Sequence, residues 1–145
     1  MNDKATAILE IQKLKARYAR FGDTKDWDEF RRCLADDFHC RVEGAPRASP
    51  SAPGCYEMRG ADAFVANART MISAIQSIHQ LSLPEITLTG DTTASGIWAL
   101  HDYLVAPHCV LRGWGHYHDD YIKIAGHWKI AKSVVTRIRV EEVWL

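Results

Sequence analysis

Between Ala5 and Phe21 apolar side chains return every three or four positions, at Ile8, Ile11, Leu14, Tyr18 and Phe21. That spacing predicts an amphipathic helix with one buried stripe. The Lys and Arg residues interleaved with the stripe read as its solvated face, and Gly22 reads as its end. Asp26, with Glu29 three residues on, reads as a capping pair opening a shorter helix that turns Trp27, Phe30 and Leu34 inward. A strand is expected over Phe38–Glu43 and another over Cys55–Arg59. Between them lies Gly44–Gly54, a mobile loop rich in Pro, Ala and Ser. It is either a lid over a pocket mouth or an exposed connection with no role. A third helix is predicted over Ala61–Ile75, with Phe64, Val65, Ala68, Met71, Ile72 and Ile75 on its inner side.

The second half of the chain changes period. Ile78–Thr89, Thr93–Ala106, Val110–Ile124 and His127–Val140 are long and rich in β-branched and aromatic residues. Gly90-Asp91, Pro107-His108 and Ala125-Gly126 mark short turns between them, which predicts an antiparallel meander. Helices mainly first and strands mainly last favour an α+β class. The expected architecture is one domain over residues 1–145, a curved antiparallel sheet wrapped around about three helices as a cone-like α+β barrel. A long twisted sheet curls, and three helices close only part of its concave face. The remaining space is a pocket for a small hydrophobic molecule.

Composition narrows the function. Basic and acidic residues balance at 18 each, leaving no electrostatic footprint for nucleic acid or an anionic membrane. Cys33, Cys40, Cys55 and Cys109 form no CxxC pair and show no ligand spacing with His, which argues against a zinc site or a disulfide framework. Scattered thiols, no leader pattern and no long apolar run point to a cytoplasmic setting.

Candidate chemistry is sought where a polar group interrupts an apolar face. Strand alternation puts His79 on one face with Leu81 and Leu83. Asp23 falls just past the first helix, where its default role is a turn or cap. Tyr18 belongs to the buried stripe, so its hydroxyl needs a partner or water. Asp102 is the one ionisable member of a face that also carries Gly96, Trp98, Leu100 and Leu104. The opposite face is also largely apolar, so alternation alone leaves open which of the two is inward. In the run Trp114–Tyr121, His116 and His118 share one face and Tyr117 and Tyr121 the other. Two His at that spacing can bind metal, but no carboxylate partner marks a site, and no metal is expected.

Taken in order, these segments resemble the SnoaL-like branch of the nuclear transport factor 2-like superfamily. The carriers are the Asp-Thr-Lys-Asp-Trp turn, the Pro-rich gap, the His-led strand, the Gly-His-Tyr-His-Asp-Asp-Tyr strand and the closing Gly-His-Trp-Lys-Ile strand. The superfamily holds enzymes, ligand binders and interaction domains. Its enzymes similar to this chain are scytalone dehydratase, hexachlorocyclohexane dehydrochlorinase and bile-acid 7α-dehydratase. The resemblance places Asp23 and His79 on their Asp–His dyad and Tyr18 on a pocket tyrosine. It implies that Asp102 faces inward, and that Tyr117, Asp102, Arg137 and Trp98 bind substrate. Gly22 stands where scytalone dehydratase has Tyr, and Ala106 where an ungapped match expects its second His. Ser133 replaces an Arg of the dehydrochlorinase, for which Arg137, on the same face, is a substitute. These departures put those enzymes' own substrates in question and leave the dyad intact.

The activity so implied is a lyase or isomerase of dehydratase or polyketide-cyclase type that needs no cofactor. The expected substrate is a small hydrophobic ring compound, and the expected assembly a homodimer or higher homo-oligomer. The alternatives are a non-catalytic binder using the same pocket and a homodimeric interaction domain whose outer sheet face is the interface.

Overall fold

The computed structural model describes residues 3–145. Helix α1 runs over Asp3–Thr24, and Ile11, Leu14, Tyr18 and Gly22 lie on its buried side. Gly22 does not end it. A Cβ there would stand 3.2 Å from the Phe30 ring, so the bare backbone lets helix α2 (Trp27–Arg32) pack close. Asp26 caps α2 as predicted, accepting from the Glu29 N–H at 3.4 Å. Leu34 is not part of that helix; it opens strand β1 (Leu34–Glu43). Then follow β2 (Cys55–Arg59), α3 (Ala61–Ile72), β3 (Gln76–Leu88), β4 (Thr93–Val105), β5 (Cys109–Ile124) and β6 (His127–Trp144).

The strands form one six-stranded sheet in the order β2-β1-β6-β5-β4-β3. The predicted meander is its larger part, β3 to β6, each pair antiparallel. The sheet is curved around three helices as expected, and mostly antiparallel, with two refinements. β1 lies parallel to β6, and the sheet stays open with β2 and β3 as its edges. Register shifts in the β5–β6 ladder at Trp114/Gly115 and Asp120/Tyr121 bend the sheet around the helices. Ala125 and Gly126 carry the positive φ angles, 50° and 82°, that a tight hairpin turn requires.

The helices cover one face and build the core there, with Ile11, Phe30, Phe38, Phe64 and Ile130 buried among them. A smaller cluster of Ile75, Leu104 and Leu111 sits apart from it. No helix among the described residues is long and apolar enough to cross a membrane. The loop after β1 is tied down rather than free. Ala45 N–H donates to the Gly54 carbonyl at 2.8 Å, and Arg47 grips Glu142 on β6 at 2.7 and 3.0 Å.

Candidate active site

Asp23 sits in the last turn of α1, not beyond it. A carboxylate there opposes the helix dipole, whose C-terminal end is negative. Donors from β3 offset this. The His79 backbone N–H reaches Oδ2 at 2.8 Å, and the Ser77 hydroxyl reaches Oδ1 at 3.0 Å. The third contact is His79 Nδ1, 2.6 Å from Asp23 Oδ1. A carboxylate only accepts, so Nδ1 carries the hydrogen, and whenever the ring is neutral Nε2 is its acceptor nitrogen. The pair is about one-fifth exposed on each side, and the His79 ring lines a cavity. The expected shared face with Leu83 fails. Pro84 cannot donate to the ladder, the register shifts between Ser82 and Glu85, and Leu83 turns out to solvent.

The cavity has a volume of about 100 Å³ and lies between the sheet, α1 and α3. Tyr18, Asp102, Tyr117 and Arg137 line it with His79, against apolar walls that include Phe30, Phe64 and Leu100. Asp102 is therefore on the inward face, which alternation alone could not decide. Arg137 clasps it with two bonds of 2.7 and 2.9 Å and donates also to the Glu43 and Gly44 carbonyls at 3.1 Å each. One clasp thus fixes the start of the 44–54 loop to the cavity wall. Asp102 lies directly between His79 on β3 and Gly113 on β5. A Cβ at Gly113 would meet Asp102 Oδ1 and Arg137 Nη1 at 2.3 Å each, so this glycine leaves the space over which the pair closes.

Tyr18 stacks on Phe30 and meets Tyr117 edge-on, with ring centroids 4.8 and 6.2 Å apart. Burial raises both phenols well above their usual pKa, with neighbouring phenols and carboxylates adding to the effect. Both are thus protonated donors at neutral pH. Trp98, expected to bind substrate, does not line this cavity. Its indole donates to Tyr121 Oη at 2.9 Å, and its ring borders a groove on the other side of the dyad, with Ala16, Arg20 and Leu81. It sits two inward positions below Asp102 on β4, where α1 covers the sheet.

The reading of the α1 cations as one solvated face fails at Lys15, which is fully buried. Its ammonium lies 2.8 Å from Asp119 Oδ2, and 3.6 and 4.4 Å from the Tyr117 and Tyr18 ring centroids. Burial lowers its pKa, and Asp119 works against that shift. Asp119 also accepts from Tyr121 at 2.8 Å and Ser133 at 2.7 Å. The positional signal for both residues was present, although a lysine's residue type spoke against burial. Lys15 stands four residues after Ile11 and three before Tyr18, within the buried stripe, and Asp119 alternates with Tyr117 and Tyr121. The four cysteines are free, and no cluster of three metal-binding side chains occurs among the described residues.

An Asp–His pair whose His79 lines a cavity, inside a bent sheet capped by helices, sits on a nuclear transport factor 2-like fold. The chain belongs to the SnoaL-like domain family, whose model matches residues 3–134. It is 27% identical over 140 residues to Probable cyclase FGR4 of Gibberella zeae, covering 88% of this chain and 87% of that protein. Among solved structures it is similar to a Novosphingobium aromaticivorans protein provisionally designated a scytalone dehydratase, with a TM-score of 0.80 and 18% identity. That match covers 97% of this chain and 91% of the other. The LinA-type3 hexachlorocyclohexane dehydrochlorinase of Novosphingobium barchaimii gives a TM-score of 0.78 at 17% identity, over 97% and 92% of the two chains. At these identities the solved structures speak for the fold alone.

Proposed function

We propose that this protein is a cofactor-independent lyase or isomerase of dehydratase type, acting on a small hydrophobic ring compound through the Asp23–His79 dyad. The observation that carries the reading is the 2.6 Å contact between Asp23 and Nδ1 of His79, a residue that lines a largely apolar cavity with a few placed polar groups. The dehydratase, dehydrochlorinase and cyclase names of its relatives agree with it. In this mechanism His79 Nε2 removes a proton from carbon next to a carbonyl, while Asp23 holds the tautomer and stabilises the imidazolium. Tyr18 or Tyr117 donates to the carbonyl oxygen as negative charge gathers there. In a dehydration the carbon–oxygen bond at the next carbon breaks, and the imidazolium returns its proton to the departing hydroxyl. Water leaves and His79 is neutral again. In an isomerisation the same proton returns to a different carbon. Asp102 and Arg137 receive a polar substituent of the ring.

The test is a panel of cyclic β-hydroxyketones in deuterated buffer, followed by NMR for wash-in at the α-carbon and by absorbance for the enone. His79→Ala and Asp23→Asn should each slow exchange by about 10²–10⁴ while ligand affinity stays close to that of the wild type. Binding without exchange in the wild-type protein would make this a binder instead.

The protein also acts, on this reading, as a homodimer in a reducing, cytoplasmic setting, which suits its free thiols. The outer sheet face exposes Ile97 and Ile138 and leaves the buried His101 Nε2 without a partner, as an interface would. Sedimentation equilibrium should give twice the chain mass; a monomer at micromolar concentration removes the dimer.

A further inference from the structure

Beside the catalytic cavity lies a wider cleft of about 300 Å³. The two share three wall residues: Pro46 from the 44–54 loop, Met71 from α3 and Leu104 from β4. Ile75, Leu104, Cys109 and Leu111, all buried, form the cleft's apolar floor. We infer that cleft and cavity are two compartments of one binding site, whose substrate is a neutral molecule with a compact oxygenated ring and an extended apolar arm. The assignment of the ring to the inner compartment rests on the dyad reading above.

Size argues for this division. A 150 Å³ apolar cavity is known to hold benzene, and the inner cavity, at about 100 Å³, is smaller. A ring at His79 therefore needs its boundary to yield, and any larger substituent needs room elsewhere. The yielding element is present at the border. Met71 is unbranched and adaptable, and its sulfur is held only by the Asn67 amide at 3.0 Å.

Charge argues for a neutral arm. Arg47 stands on the cleft wall, but four of its five N–H donors are already committed. Nε and Nη2 hold Glu142, while Nη1 holds the Pro50 and Ala52 carbonyls at 2.8 and 3.1 Å. A carboxylate or phosphate tail would compete with Glu142, itself a wall residue, for Arg47 and would meet its negative charge. An alkyl or fused-ring arm meets only the floor. The same Arg47 bonds hold the loop as a standing wall, which gives the 44–54 segment a definite place in the site.

The test uses phenol, para-butylphenol and para-octylphenol as probes, with affinity measured by calorimetry on the full chain. In the wild type the Kd should fall about fourfold for each methylene that enters the cleft. Ala106→Trp and Thr70→Trp each fill the cleft from a different wall, and both residues lie outside the catalytic cavity. Whichever variant retains the wild-type circular dichroism and melting profile should flatten the series, so that para-octylphenol gains less than threefold over phenol. A flat series in the wild type, or a slope undiminished in a folded variant, overturns the second compartment. Because the readout is binding without turnover, its failure is separate from failure of the proton-exchange assay, which concerns the dyad alone.

Discussion

Two of the charged side chains on helix α1, Lys15 and Asp23, stand about two turns apart, and the sheet treats them in opposite ways. Lys15 meets Asp119 with neither side chain exposed, whereas Asp23 meets His79 with about a fifth of each showing. The sealed pair is closed off from solvent. Asp119 answers Lys15, Tyr121 and Ser133, and the ammonium lies against two tyrosine ring faces. Neither Lys15 nor Asp119 lines the cavity beside His79. The rim pair is built differently, because all three named donors fall on Asp23 and only Nδ1 of the His79 ring is used. On the proposed mechanism the second ring nitrogen meets the substrate. What separates the two pairs is therefore access: His79 lines a cavity and Lys15 does not.

The largest effect should come from breaking the sealed pair. Removing one member of a buried ion pair strands the other, at a cost of about 3–5 kcal/mol. Asp119→Leu should show that loss in urea melts. Adding Lys15→Met should restore most of it, since an apolar pair of similar volume is often neutral or better. Asp23→Asn is the contrasting case: about 1 kcal/mol of stability, set against the rate loss expected of the dyad. If the two sites exchange these signatures, with Asp119 variants stable but inactive and Asp23 variants unfolded, the division drawn here is wrong.

The sequence carried this contrast only in part. Alternation along β4 grouped Asp102 with Trp98 and Leu100 correctly, but both faces of that strand are apolar enough to be inward. Only docking of the helices decides between them. Lys15 was hidden by its residue type, since a lysine within a helical stripe ordinarily reaches out to water. Its buried partner lies on β5, over a hundred residues away. The parallel pairing of β1 with β6 was invisible for a related reason, because nothing local to a strand records the direction of its neighbour. Pro84, by contrast, was a legible warning: a proline inside a long predicted strand signals a bulge or an edge. The structure has both, with β3 at the sheet edge and its register broken there.

Between the two extremes stands a third pair, Asp102–Arg137, nearly buried yet lining the cavity, with 9% and 4% of the Arg and Asp side chains exposed. Gly113→Ala tests which kind it is. The new methyl would collide with the tips of both side chains rather than with backbone, so they can move aside, but only by giving up the clasp. Overpacking of this sort costs about 1–3 kcal/mol, a smaller loss than stranding Lys15. Arg137 also holds the Glu43 and Gly44 carbonyls, so the disturbance should travel into the 44–54 loop. Hydrogen exchange at the Ala45 amide, which donates to Gly54, should quicken at least tenfold relative to amides of the β4–β5 ladder. Unchanged exchange there would mean that the clasp serves the cavity wall alone and that the loop stands on Arg47 and Glu142.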